Sequence, residues 1–370
     1  MRSFYLAVAV ALVACSDGTD DDPVNDGVIT CPEGYLSGVG NVFPVESPGT
    51  VAERELPCLN GDGTLRGYLV ASIGSSLVGS DGYEPASAED LRFMYEPGDP
   101  RFDEVQAYYL IAGMAGWVAS SLESTSASAQ TLEVLRTDEV LLDYDNPEVV
   151  SRQWCGLLTL GMQRITDDRV NADVLLHEFG HHVVYSLNRN LENSMLHEGL
   201  ADYLAAAFTD DSTIEPSESP AFDRSLENDH SAPEDVITRQ EYCQQMLDTV
   251  EDEGLEETYS VLVQTLHDCL AGALGDLDAP EQHWASMILS AALWEIRGQV
   301  GGETFDPTLF EVLSGAVVRD TGELMTRLIE ADAARSGGTN EAVIRQAFVS
   351  RGIGEDLGLA FRDMGFGMCP

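Results

Sequence analysis

Apolar positions recur with two different periods along this chain, and the balance shifts near its middle. Up to about residue 95 the runs are short and broken by Gly, Pro and Asn. Val39, Val42 and Phe43, and then Leu65, Tyr68, Leu69 and Val70, read as strands. Phe102–Trp117 differs, because Val105, Tyr108, Tyr109 and Ala112 fall at helical spacing and form a stripe suited to a core. Leu132–Leu142 and Trp154–Leu160 again predict strands. Asn171 can then cap a helix over Ala172–Leu187, and a shorter helix is predicted over Met195–Phe208. Residues 210–236, acidic and rich in Ser and Pro, predict a long loop. Beyond it the pattern is helical over 238–251, 256–273, 281–297, 308–318, 321–334 and 340–351. Strands first and helices later predict an α+β protein, with a β-rich part over 31–187 and a mainly helical part over 188–370.

The length, 370 residues, allows one large domain or two lobes with a sizeable core. Charge narrows the partners. There are 64 Asp and Glu against 19 basic residues, a net −45, and every basic residue is Arg. Such a surface repels nucleic acid, so no nucleic-acid partner is expected.

At the start, Arg2 precedes an apolar run from Phe4 to Val13, too short to span a bilayer as a helix and suited to the apolar region of an export signal. The run ends Leu12-Val13-Ala14-Cys15, which resembles the bacterial lipoprotein box. That resemblance implies a signal peptide over 1–14, a lipidated Cys15 holding the chain to a membrane facing the periplasm or cell surface, and an acidic tether over 15–30. Six further cysteines, an even number in an exported chain, predict disulfides. Cys31 with Cys58, and Cys243 with Cys269 across a helical hairpin turning at Glu253-Gly254, are favoured by position; Cys155 with Cys369 follows by elimination. None has CxxC spacing, which argues against a Cys-based zinc site.

The chemistry concentrates in His177-Glu178-Phe179-Gly180-His181, an HExxH pattern. Two His four residues apart share a helical face, so both rings can reach one ion. Glu178, rotated by about 100°, can approach a water on that ion without binding it. Zinc lowers the pKa of such a water to about 7 and wants a third protein ligand with one position left open. Glu198 and Asp202, in Leu196-His197-Glu198-Gly199-Leu200-Ala201-Asp202-Tyr203, again share a face. One carboxylate can bind the ion while the other accepts a ring N–H of a ligand His. Gly180 inside the helix costs about 1 kcal/mol relative to Ala, a cost that a close backbone approach or a substrate cleft would justify.

His-Glu-x-x-His followed by Glu-x-x-x-Asp resembles the pattern of the gluzincin metallopeptidases, such as thermolysin and the fungalysins. The fungalysin side is closer, and Gly40-Asn41-Val42-Phe43-Pro44, Leu65-Arg66-Gly67 and Phe102-Asp103-Glu104-Val105-Gln106-Ala107-Tyr108-Tyr109 resemble its catalytic domain. The resemblance implies a thermolysin-like two-lobe fold, with a β-rich N-terminal lobe, an active-site helix and a helical C-terminal lobe. It implies one Zn2+ per chain on His177, His181 and Glu198, Glu178 as general base, and Asp202 orienting the first His. It further implies His283 as the oxyanion donor, and an edge strand carrying Trp154, Gly156 and Leu158 that pairs with the substrate backbone. The expected activity is endopeptidase hydrolysis of extracytoplasmic proteins or peptides.

Three departures matter. Arg152-Gln153 stands where the family has Asn-Ala before the Trp, the body begins soon after the tether with no room for the family's inhibitory pro-domain, and thermolysin-type calcium sites are not recognisable. Acidic loops offer oxygen ligands for calcium, but no EF-hand spacing is present. Of the other His, His182 and His197 are expected to be packed or solvated rather than catalytic, and His230 and His267 incidental. Two alternatives stay open at this point: an exopeptidase of the same fold, and a non-catalytic surface lipoprotein that keeps a zinc site.

Overall fold

The computed structural model describes residues 29–353 except 48, 78–82, 126–131, 144–151, 155–156, 162–171, 190, 192, 215–223, 233, 253–259, 274–275 and 279–280. The export signal, Cys15, nearly all of the acidic tether, Cys155, Gly156, Asn171 and Cys369 therefore lie outside the described residues.

The fold is mixed α and β, with strands concentrated in the first half. β1 (Leu36–Val42) pairs antiparallel with β2 (Ala52–Leu59) and parallel with the short β4 (Arg92–Phe93). The Cys31–Cys58 disulfide closes this small sheet, as its position predicts. A second sheet runs in the order β3 (Ile73–Ser75), β5 (Glu139–Asp143), β7 (Leu157–Gly161), β6 (Arg152–Trp154), with only β6 antiparallel to its neighbour.

Between the sheets and the later helices runs α1 (Pro100–Glu123). Asp99 caps it, accepting from the Arg101 amide, and Pro100 takes the first position, where its missing N–H costs nothing. Of the expected stripe, Val105, Tyr108 and Ala112 are buried in the core and Tyr109 is partly buried against it. The helix is six residues longer at its C-terminal end than predicted and is buried on nearly every side. A helix buried all round carries no periodic polar face to mark its end.

Three strand expectations change. Leu65–Val70 is not a strand; its apolar residues are buried in turns tied by isolated bridges, Leu59 to Gly67 and Val70 to Thr137. Within Leu132–Leu142, Glu133–Leu135 form a 3-10 turn and only the end belongs to β5. The segment expected as a single edge strand divides into β6 and β7, which are partners: Trp154 pairs with Leu157 and Gln153 with Leu158. Leu158 is therefore a buried residue of an interior strand, and the edge strands of this sheet are β6 on that side and β3 on the other.

The helices follow the prediction more closely. α2 spans Ala172–Leu187 and α3 Ser194–Thr209. After α3, within the acidic loop, β8 (Thr213–Ile214) pairs antiparallel with β9 (Arg224–Ser225). Then come α4 (Arg239–Asp252), α5 (Ser260–Leu270), α6 (Gln282–Val300), α7 (Gly302–Gly315), α8 (Thr321–Ser336) and α9 (Glu341–Ser350). The Cys243–Cys269 disulfide joins α4 to α5, with Cα atoms 6.4 Å apart. α7 begins six residues earlier than expected, because Pro307 sits inside it rather than ending the preceding loop. Close to the helix start, proline removes only one backbone bond. No helix among the described residues is long and apolar enough to cross a membrane.

Candidate metal centre

α3 lies between α2 and α6, and two glycines set both distances. A Cβ on Gly180 would lie 2.9 Å from the Cα of Ala201 and 3.0 Å from its carbonyl oxygen. A Cβ on Gly199 would lie 3.0 Å from both Leu289 Cδ2 and the Ser286 carbonyl oxygen. Separations under 3.0 Å are not sustained by real side chains, so Gly180 is required by the close approach of α3. That accounts for a glycine in the middle of the HExxH helix. Asn193 sets where α3 starts: its side chain accepts from the Leu196 amide at 3.2 Å and donates to the Arg319 carbonyl at 3.3 Å.

This packing brings together the residues that the sequence places in two separate motifs. His177, His181 and Glu198 are all buried, and their ligand atoms lie within 4.8 Å of one another. The group could hold a metal ion. The two rings meet edge to face with centroids 4.6 Å apart. Behind them, Asp202 Oδ1 lies 2.7 Å from His177 Nδ1, and Asp202 is fully buried. A carboxylate there holds the proton on Nδ1 and leaves Nε2 as a bare lone pair.

The donor set fits a cation. Glu198 Oε2 sits 3.3 Å from His177 Nε2 and 3.5 Å from His181 Nε2, buried and without a hydrogen bond of good geometry. A carboxylate oxygen facing a lone pair in a buried place is unfavourable unless a cation lies between them. Burial pushes the Glu198 carboxyl up, and positive charge on His283 and His181, with donation from His177 and His181, would more than offset it and hold the group well below the usual carboxylate range; a cation between the side chains supplies such charge while leaving the ligand lone pairs free. Two imidazoles and one carboxylate suit zinc and other first-row divalent ions better than calcium or magnesium.

Glu178 is buried on α2 between the two His of the pattern, and β6 lies against the same helix. His283, in the first turn of α6, reaches the group from the other side. Its Nε2 lies 3.5 Å from Glu198 Oε1, and its side chain is 42 % exposed, so it faces both the ligand set and solvent. Its Nδ1 lies 2.9 Å from Glu281 Oε1, while Glu281 Oε2 accepts from the Trp284 amide at 2.8 Å. Glu281 is thus both the N-cap of α6 and the partner of His283.

The other histidines divide. His182 is buried and stacks on Phe179, and burial pulls its pKa down to about 4. His197 is buried with its ring 5.6 Å from His181, and burial pulls it down to about 3. Both are packed and neutral at neutral pH. His230 is not incidental to packing: its ring lies 5.7 Å from Trp284.

Two features lay beyond the sequence motifs. Glu281 is an unusual capping residue, and only its place two residues before His283 could have pointed to it. The second is an ionic group binding α3, α6 and α7 together, buried at Tyr203 and Asp306 and open to solvent at Asp210. The Tyr203 hydroxyl donates to Asp306, Arg297 Nε reaches Asp306 at 3.4 Å, and Arg297 Nη1 reaches Asp210 at 2.6 Å.

No protein-family model matches this chain, and no curated protein matches it.

Proposed function

We propose that this chain is a zinc-dependent endopeptidase of thermolysin-like two-lobe architecture, exported and held to a membrane through Cys15. One observation carries the proposal. Two His on α2 and Glu198 on α3 converge in a buried group, His177 is backed by Asp202, Glu178 is buried on the same helix next to His177, and His283 stands beside the group. A purely structural site needs neither a general base nor an exposed imidazole at its mouth.

His177, His181 and Glu198 would hold a zinc ion, which would supply Lewis acidity and a water of lowered pKa there. Glu178 takes the proton of the attacking water and returns it to the leaving amine. His283 donates to the carbonyl oxygen as negative charge develops on it, held in place by Glu281. The outer edge of β6 offers backbone groups to an extended peptide, since among the described strands β6 pairs with β7 alone. Two disulfides among the described residues support an oxidising, extracytoplasmic setting.

The test is metal analysis joined to casein cleavage on the purified chain. About one zinc per chain is expected. Cleavage should be lost with a chelator and restored by zinc, and His177→Ala should lose both metal and activity. Stoichiometric zinc that survives His177→Ala would overturn the site.

A further inference from the structure

The α4–α5 hairpin stands apart in its packing. Cys243, Met246, Leu247, Leu266 and Cys269, with Tyr242, Val263 and Leu270 around them, form an apolar cluster of their own, separate from the main core. Two short helices with so small a shared core hold together poorly without a crosslink. Here the crosslink is Cys243–Cys269. The two ends of the hairpin meet at its base, where the Gln240 amide donates to the Leu277 carbonyl at 3.1 Å and the Glu281 amide donates to the Ile237 carbonyl at 2.9 Å. Glu281 is therefore fixed twice: its backbone closes the hairpin, and its carboxylate holds His283 Nδ1 at 2.9 Å and the Trp284 amide at 2.8 Å.

We propose that the stapled hairpin is a positioning element for His283: the Cys243–Cys269 bond fixes the hairpin's base, the base fixes Glu281, and Glu281 fixes the imidazole facing Glu198. The role of His283 in turnover rests on the peptidase proposal above. The mechanical link from disulfide to Glu281 does not.

Two variants open the hairpin by independent routes. Cys243→Ser/Cys269→Ser removes the staple, and Leu266→Ala hollows the hairpin's own core while keeping it. Each is compared with the native chain by amide hydrogen exchange over residues 282–287, by zinc content, and by casein kinetics in the presence and absence of His283→Ala. The expected result is faster exchange at 282–287 in both variants, unchanged zinc content, and kcat lowered about tenfold with KM within about twofold. In the His283→Ala background, opening the hairpin should lower kcat no further, because the coupled residue is already gone. Native protection at 282–287 in both variants would overturn the proposal, and so would an equal kcat loss with and without His283. If the native chain cleaves no casein, the peptidase proposal fails by itself, and the exchange comparison still decides whether the staple holds Glu281.

Discussion

Asp202 Oδ1 lies 2.7 Å from Nδ1 of His177, so the side chain that contributes Nε2 to the ligand group is oriented by a carboxylate one turn beyond Glu198 on the same helix. One helix therefore supplies both a ligand and the support for another ligand. Asp202→Ala should lower zinc affinity by about 10- to 100-fold while the fold survives. A competition titration against a chromogenic chelator measures this. Unchanged affinity would mean that Asp202 does not orient His177.

Gly180 sets two effects against each other. Helix propensity alone predicts that Gly180→Ala gains about 1 kcal/mol. The added Cβ would meet the Ala201 backbone at 2.9 Å and 3.0 Å, and overpacking of this kind costs about 1–3 kcal/mol. Neither backbone can yield without moving α3, so the steric effect should win. Net destabilisation is expected in urea unfolding, with zinc affinity reduced because Glu198 moves with α3. A more stable variant with native affinity would show that the helices are not in forced contact.

His283 Nε2 lies 3.5 Å from Glu198 Oε1 on a partly exposed side chain, and the proposed function makes it a donor to a substrate oxygen. His283→Ala should lower kcat by about 10²–10³ and leave zinc content unchanged, since the removed group is a donor rather than one of the three ligands. Steady-state kinetics alongside metal analysis reads both. Loss of zinc with the activity would make His283 a ligand instead.

Asp306 gives a pH dependence away from the metal group. Burial pushes its carboxyl up to about 6, outweighing the Tyr203 hydroxyl and Arg297, which favour the charged form. A folded-state pKa above the unfolded value of 3.8 means that the folded state binds the proton more tightly. The stability from this group is complete below 3.8 and is lost as pH rises through about 6. Denaturant unfolding at pH 4 and pH 7.5 should show the native chain losing about 1–3 kcal/mol more across that interval than Asp306→Asn. Identical pH dependence would remove Asp306 from this role.

Much of the site was legible because its chemistry repeats at helical spacing. HExxH and Glu-x-x-x-Asp each place two groups on one face, and α2 spans the residues its pattern marks. The disulfides at Cys31–Cys58 and Cys243–Cys269 were legible because neighbouring elements bring those positions together. What stayed hidden depends on tertiary contact. Leu65–Val70 carries strand-like residues, yet its apolar side chains enter the core from turns in which Gly67 approaches Cys58 and Tyr108 too closely for any side chain. Trp154–Leu160 is apolar but for Thr159, and apolarity alone does not mark where one strand ends and its partner begins. The Arg297–Asp306–Tyr203 group joins residues about a hundred positions apart and leaves no local signature.

In the proposed function Glu178 is the base of a metal-dependent peptidase. Its most direct test is casein cleavage by the native chain and by Glu178→Gln at matched zinc content. Both proteins should bind about one zinc, and the variant should lose essentially all turnover, because the amide keeps the shape but accepts no proton. Cleavage by the variant at the native rate would contradict the assignment of Glu178, and zinc binding without cleavage by either protein would point to a binding lipoprotein rather than an enzyme.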